Sequence, residues 1–204
     1  MVHNNQTDFP YDLDSISQCE FPTFVDSIIE MCHVHQFEME SIQMLQLLNQ
    51  LKHSRTHYGK DHPSLTSILS TLNNMIGRTS FSYLAIPFLM EQLRIEKLYL
   101  GCNDPDLASI LYSIGHIYET YDKVTEAEKY LADALDLLNK NQRKGQLYAL
   151  VTYRLGIVNY QQSLYKDAME MFSLAMIEQQ AECKEFYPAV AEMHINIKKF
   201  QPEI

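Results

Sequence analysis

The chain has 204 residues, 46% of them hydrophobic, which is enough apolar material for a substantial core and speaks against wholesale disorder. Its 16 basic and 26 acidic residues give a formal charge of −10, a field that repels phosphate backbones and argues against nucleic acid as a partner. Six glycines and seven prolines are few for the turns of a multi-strand sheet, whereas an all-helical chain needs fewer.

Residues 1–22, with Asp8-Phe9-Pro10-Tyr11-Asp12-Leu13-Asp14, are acidic and without periodicity and read as a disordered tail. They contain no apolar core of a secretory signal. Over 23–57 the residues Phe24, Val25, Ile28, Ile29 and Cys32 mark one helix. Met39, Ile42, Leu45, Leu48 and Leu51 mark a second, and together they make a diverged first hairpin. No sustained heptad seam precedes Phe24.

From residue 58 onward a single ruler fits. Pro105 follows Pro63 by 42 residues and Ala127 follows Ala85 by 42; Ala168 follows Ala127, and Gly156 follows Gly115, by 41. The ruler divides the chain into repeats at 58–99, 100–140 and 141–182, with 183–204 left as the first helix of an incomplete repeat or an end cap. Pro63 and Pro105 suit the first turn of a helix, where a missing N–H costs nothing.

Within the repeat at 100–140, Leu107, Ile110, Leu111, Ile114, Ile117 and Tyr118 recur at helical spacing. After Asp122-Lys123 comes a second run, Ala127, Tyr130, Leu131, Ala134, Leu135 and Leu138, entered through Thr125-x-x-Glu128, which reads as a capping box. The repeat at 141–182 copies the plan, with Met171 and Met176 expected in the core of its second helix. Two helices lie close only where small residues let their backbones approach, and Gly115 with Ala127 and Ala134 is expected to provide that crossing. The expected fold is therefore all-α, a solenoid of antiparallel helical hairpins in which each unit depends on its neighbours.

The segments Tyr58-Gly59-Lys60-Asp61-His62-Pro63 and Leu100-Gly101-Cys102-Asn103-Asp104-Pro105, with Ala85-Ile86-Pro87-Phe88-Leu89 and Glu126-Ala127-Glu128-Lys129-Tyr130-Leu131, resemble the tetratricopeptide repeats of kinesin light chains. The resemblance runs from about Tyr58 to Glu182. Those light chains usually place paired asparagines in the first helix, and Asn73-Asn74 here stands three residues out of that register. The resemblance implies a tetratricopeptide superhelix whose first helices line a concave groove for a partner's peptide or helix. On the ruler this face carries Asn74 and Arg78, then Tyr112, His116 and Glu119, then Tyr153, Arg154, Ile157 and Tyr160. Tyrosine and arginine dominate interface energetics, so Tyr112, Tyr153, Arg154 and Tyr160 are the first candidates for contact.

The four cysteines lie far apart with no Cys-x-x-Cys pair, which fits reduced thiols in the cytoplasm. His33-Val34-His35 and His53-x-x-x-His57 have spacings that metal ligands use, but nothing completes a ligand set, so no metal and no cofactor is expected. No clustered-glycine phosphate loop and no Gly-x-Ser-x-Gly element is present. The longest apolar stretch, Phe81 to Met90, falls well short of the roughly 20 residues that span a bilayer. The expected function is a non-enzymatic scaffold or adaptor for a protein partner, with no nucleic acid or membrane involved. A second reading is a truncated or autoinhibited structural fragment whose acidic tail occupies the groove; an enzyme is the third and weakest.

Overall fold

The computed structural model describes residues 13–16, 18–34, 39–79 and 81–182. The expected partial repeat at 183–204, and the first residues of the expected tail, lie outside the described residues. The order of elements is α1 (Leu13–Ile16), α2 (Phe21–Val34), α3 (Met39–Tyr58), α4 (Leu65–Ile76), a 3₁₀ turn (Ser82–Leu84), α5 (Ala85–Leu100), α6 (Leu107–Thr120), α7 (Val124–Lys140), α8 (Gln146–Gln161) and α9 (Tyr165–Glu182). No strand occurs among the described residues. The chain divides into two compact units between Tyr99 and Leu100.

In the first unit, Phe24, Ile28, Leu48, Leu51, Leu65, Leu69 and Phe88 are completely or almost completely buried, so α2, α3, α4 and α5 share one core. Phe88 takes Phe21 edge-on at 5.7 Å and Phe24 at 5.2 Å between ring centres. Ile16 is only 1% exposed, so Leu13–Ile16 is a packed helical turn rather than part of a free tail.

In the second unit the core runs through Leu107, Ile114, Ala127, Leu131, Ala134, Val151, Val158, Ala168 and Ala175. Gly115 is the close crossing, though its partner is not the expected alanines. A Cβ on Gly115 would lie 2.7 Å from the Leu131 Cγ and 3.2 Å from the Leu131 backbone nitrogen. Gly156 repeats the arrangement, where a Cβ would come 2.4 Å from the Phe172 ring. A large side chain on the second helix thus sits directly over a missing one on the first. Ala168, Phe172 and Ala175 carry the core of α9, while Met171 and Met176 are half-buried, which corrects the expectation for both methionines.

The ruler also appears in backbone angles. Gly59 and Gly101 follow α3 and α5 at φ 91° and 87°, and Gln142, at the third copy of that position, has φ 53°. After α7 the Gln142 N–H donates to the Asn139 carbonyl at 3.1 Å and the Arg143 N–H to the Leu138 carbonyl at 2.8 Å. This is the Schellman closure of a helix C-terminus, which normally takes glycine. Asp122 (φ 57°) and Ser163 (φ 64°) close α6 and α8 by the same pair of bonds. A left-handed glutamine carries a steric cost that glycine does not, partly offset because glycine loses more freedom on folding. Gln142→Gly is therefore expected to stabilise the protein by about 0.5–1 kcal/mol, read as a higher urea midpoint at unchanged slope.

These tight turns also explain why the capping box does not form. Helix α7 begins at Val124, its N-cap is Lys123, and no side chain caps it. Thr125 is already inside the first turn, because the Schellman turn of α6 delivers the chain straight into α7. Pro63 and Pro105 lie two residues before their helices, and each carbonyl accepts from the N–H three residues on, at 3.1 Å. The residue before each proline does the capping. His62 Nδ1 accepts from the Ser64 N–H at 3.2 Å, and Asp104 Oδ1 accepts from the Asp106 N–H at 2.9 Å. Histidine and aspartate thus do one job at the two copies of this position.

Candidate functional site

Helices α6 and α8 are the first helices of successive hairpins and lie beside each other in the second unit. Helix α6 buries Ile110, Leu111, Ile114, Gly115, Ile117 and Tyr118, which leaves Tyr112, His116 and Glu119, at i, i+4 and i+7, half-buried along one stripe. On α8 the residues Tyr153, Arg154, Ile157 and Tyr160 are likewise half-buried.

Four of the nine candidates converge. Arg154 Nη1 donates to Glu119 Oε2 at 3.0 Å, and His116 Nδ1 lies 3.3 Å from the same oxygen. Arg154 Nη2 approaches His116 Nε2 at 3.4 Å, and the Tyr112 ring stacks on the His116 ring at 6.0 Å. A neutral imidazole with its proton on Nδ1 satisfies both neighbours, donating to Glu119 and accepting from Arg154. Burial pushes the Glu119 carboxyl up, but the His116 hydrogen bond and the Arg154 charge outweigh it and hold the group below its ordinary range. The guanidinium also lies over the Tyr153 ring at 5.8 Å, and Arg154 Nε is buried without an acceptor among the described residues.

The remaining candidates are distributed differently. Tyr153 packs on Phe172 of α9 at 5.8 Å, so much of its ring serves the hairpin. Tyr160 packs on Tyr165 at 5.4 Å. Ile157 stands half-buried beside them in sequence, and Asn74 on α4 and Arg78, two residues past the end of that helix, are exposed in the first unit.

A separate pocket of the same unit was not foreseen. Pro105, Asp106 and Ser109 at the start of α6, Leu138 of α7, and Arg143, Lys144, Leu147 and Tyr148 around the start of α8 line an open pocket of about 290 Å³. The Lys144 ammonium sits 3.5 Å from the centre of the Tyr148 ring. Its lining comes from three helices, so no run of sequence announces it.

The imidazole in the cluster has both nitrogens occupied; Thr120 Oγ1 lies 3.5 Å from its Nδ1, but that hydroxyl donates to the His116 backbone carbonyl at 2.8 Å and so is not paired with the ring as an activated nucleophile. Among the described residues no three histidine, cysteine or acidic side chains gather as metal ligands, and no helix is long and apolar enough to cross a membrane.

Successive helical hairpins, those of the second unit crossing at a glycine and carrying a half-buried polar stripe on their first helices, define a repeat protein of the tetratricopeptide type. No family model matches the chain. Its repeats are of the kinesin light chain-like kind. The chain is 28% identical over 124 residues to Protein KINESIN LIGHT CHAIN-RELATED 1 of Arabidopsis thaliana, a match that takes in 60% of this chain and 20% of that protein. It thus spans about a fifth of that relative. The crystal structure of BtubC (BKLC) from P. vanneervenii superposes with a TM-score of 0.59 at 20% identity, over 93% of this chain and 83% of that one, and shares its fold.

Proposed function

We propose that the chain is a non-enzymatic cytoplasmic scaffold that holds a peptide or helix of a partner protein against the exposed stripe of α6 and α8. The observation that carries this reading is the Tyr112, His116, Glu119 and Arg154 cluster. Aromatic and guanidinium groups held rigid by one another lose little side-chain entropy on contact, which is the property of interface anchors. The relatives' repeats support a binding module rather than a catalyst, and the net charge of −10 speaks against nucleic acid as the ligand. Tyr153, Ile157 and Tyr160 extend the proposed binding face along α8, and Asn74 and Arg78 are candidate contacts of the first unit taken by itself.

Affinity capture with the full chain and with Tyr112→Ala/His116→Ala tests the reading, since both rings are half-exposed and neither belongs to the core. Loss of two interface anchors is expected to weaken a bound partner by about tenfold or more while the melting curve stays in place. Retention of the same partners at the same strength would remove the stripe from the binding surface.

A further inference from the structure

The first unit breaks the crossing rule that the second unit keeps. Asn73 stands 42 residues before Gly115, and Gln92 stands 42 before Ala134, so these two amides occupy the positions where the later hairpins place a glycine and an alanine. Both are buried at 9% exposure, and Asn73 Nδ2 donates to Gln92 Oε1 at 2.9 Å. Gln92 Nε2 in turn donates to Glu96 Oε1 at 2.8 Å. The backbones of α6 and α7, and of α8 and α9, come within 8 Å along much of their length, whereas those of α4 and α5 hardly do so. The connection from Gly77 to Leu84, which includes the 3₁₀ turn, also replaces the three-residue turns 121–123 and 162–164 of the later hairpins.

The amide pair therefore acts as a wedge. It is an imperfect one, because Asn73 Oδ1 is buried with no partner among the described residues. Turning the Asn73 amide over does not repair this: its oxygen would then face the Gln92 oxygen unless Gln92 turned too, which would aim the Gln92 oxygen at the Glu96 carboxylate. One polar end stays unsatisfied in each arrangement, a desolvation penalty that entering water removes. A crossing closed on glycine and alanine has no such penalty and gains nothing from water.

We infer that the Asn73–Gln92 pair makes the α4–α5 hairpin a built-in joint, which parts and rehydrates more readily than the glycine-closed hairpins. Opening of this kind is local, confined to one hairpin, and draws on the low-stability end of the fold. The sites that water would enter lie beside Leu72, Ile76 and Leu89, so parting exposes apolar surface within the first unit.

Amide hydrogen exchange followed by mass spectrometry on the full chain tests this directly. The buried amides of α4 are expected to exchange at least about tenfold faster than those of α6. Asn73→Leu/Gln92→Met, which keeps the side-chain shapes but removes the hydrogen-bonding demand, is expected to slow α4 exchange by about tenfold and leave α6 and α8 unchanged. Protection of α4 equal to that of α6 in the unaltered chain would overturn the inference. So would an Asn73→Leu/Gln92→Met protein in which α4 exchanges as fast as before, or one that loses helicity, since a slot that serves only as a wedge accepts apolar groups of the same shape.

Discussion

Gly115→Val is expected to melt the second unit at temperatures where the unaltered chain stays folded. The missing side chain is what lets α6 meet α7: a single Cβ already falls 2.7 Å from Leu131 Cγ and 3.2 Å from the Leu131 backbone nitrogen, and a flexible tip cannot swing out of the way. Leu131 itself is fully buried between Ala127 and Ala134, so it has nowhere to move. Alanine at 115 sets a gain of about 1 kcal/mol in helix propensity against an overpacking cost that the 2.7 Å contact places in the upper range, about 2–3 kcal/mol, and is expected to lose about 1–2 kcal/mol net. Valine adds two methyl groups and a stiff χ1 and is expected to cost about 3 kcal/mol or more. Gly101→Ala is the useful contrast. No atom lies within 4 Å of the position its Cβ would take, so only the left-handed backbone resists, at about 1 kcal/mol. Urea unfolding followed by far-ultraviolet circular dichroism should rank the three as Gly101→Ala, Gly115→Ala, Gly115→Val in rising damage. If valine is tolerated as well as alanine, the crossing does not set the distance between α6 and α7.

The period was legible in the sequence because sterics leave few alternatives at the repeated positions. Proline before a first helix, glycine at a crossing and glycine after a second helix each answer a local backbone demand that a single residue can meet. Gln142 meets the same demand as Gly59 and Gly101 without the matching residue, so the third copy was hidden from composition and visible only in its φ. The capping box failed for a related reason. Thr125-x-x-Glu128 satisfies a local pattern, but the turn before it is already closed by bonds to Tyr118 and Glu119, and the helix starts two residues too early for the threonine to cap.

Pairings between distant residues were the least readable. The ruler put Glu119 and Arg154 on the same face, 35 residues apart, without saying that they join. It also ranked Tyr153 with the exposed aromatics, whereas its ring leans on Phe172. Asn73 looked like a displaced copy of an asparagine pair. Its position is in fact the glycine slot, and a buried amide is intelligible only together with Gln92, a residue on another helix.

Glu91→Ala should be the most damaging loss of a charged side chain in the first unit. Glu91 lies on α5 with its side chain only 9% exposed, and it accepts from Arg55 of α3 and from Arg94 one turn on, at 2.8 Å from Arg94 Nε. Arg94 continues to Asp61 at 2.6 Å and to the Lys60 carbonyl at 3.0 Å, so a single carboxylate fastens α3, α5 and the 59–64 turn together. Arg55, at 18% exposure, also lies over the Phe21 ring at 4.9 Å and cannot swing to water without leaving it. Removing the partner of a buried charge costs about 3–5 kcal/mol. Because Arg94 is partly exposed and keeps Asp61, a loss of about 2–4 kcal/mol is expected here. Glu91→Gln keeps one acceptor and should lose less.

The pH dependence follows from the same geometry. Burial pushes the Glu91 carboxyl up, but hydrogen bonds from Arg94 and Arg55 and their two charges outweigh it, so the group titrates below its ordinary range. The Arg94 hydrogen bond likewise holds Asp61 below its ordinary range. A carboxylate depressed by folding stabilises the protein at pH values above its unfolded pKa, about 4 for these groups, and that stabilisation is lost as pH falls through the lower folded values. The unaltered protein should therefore lose urea resistance between pH 7 and pH 3 faster than Glu91→Ala does, and the two midpoints should draw together in acid. Parallel curves would mean that Arg55 and Arg94 find the solvent as good a partner as Glu91, and that the network ties nothing.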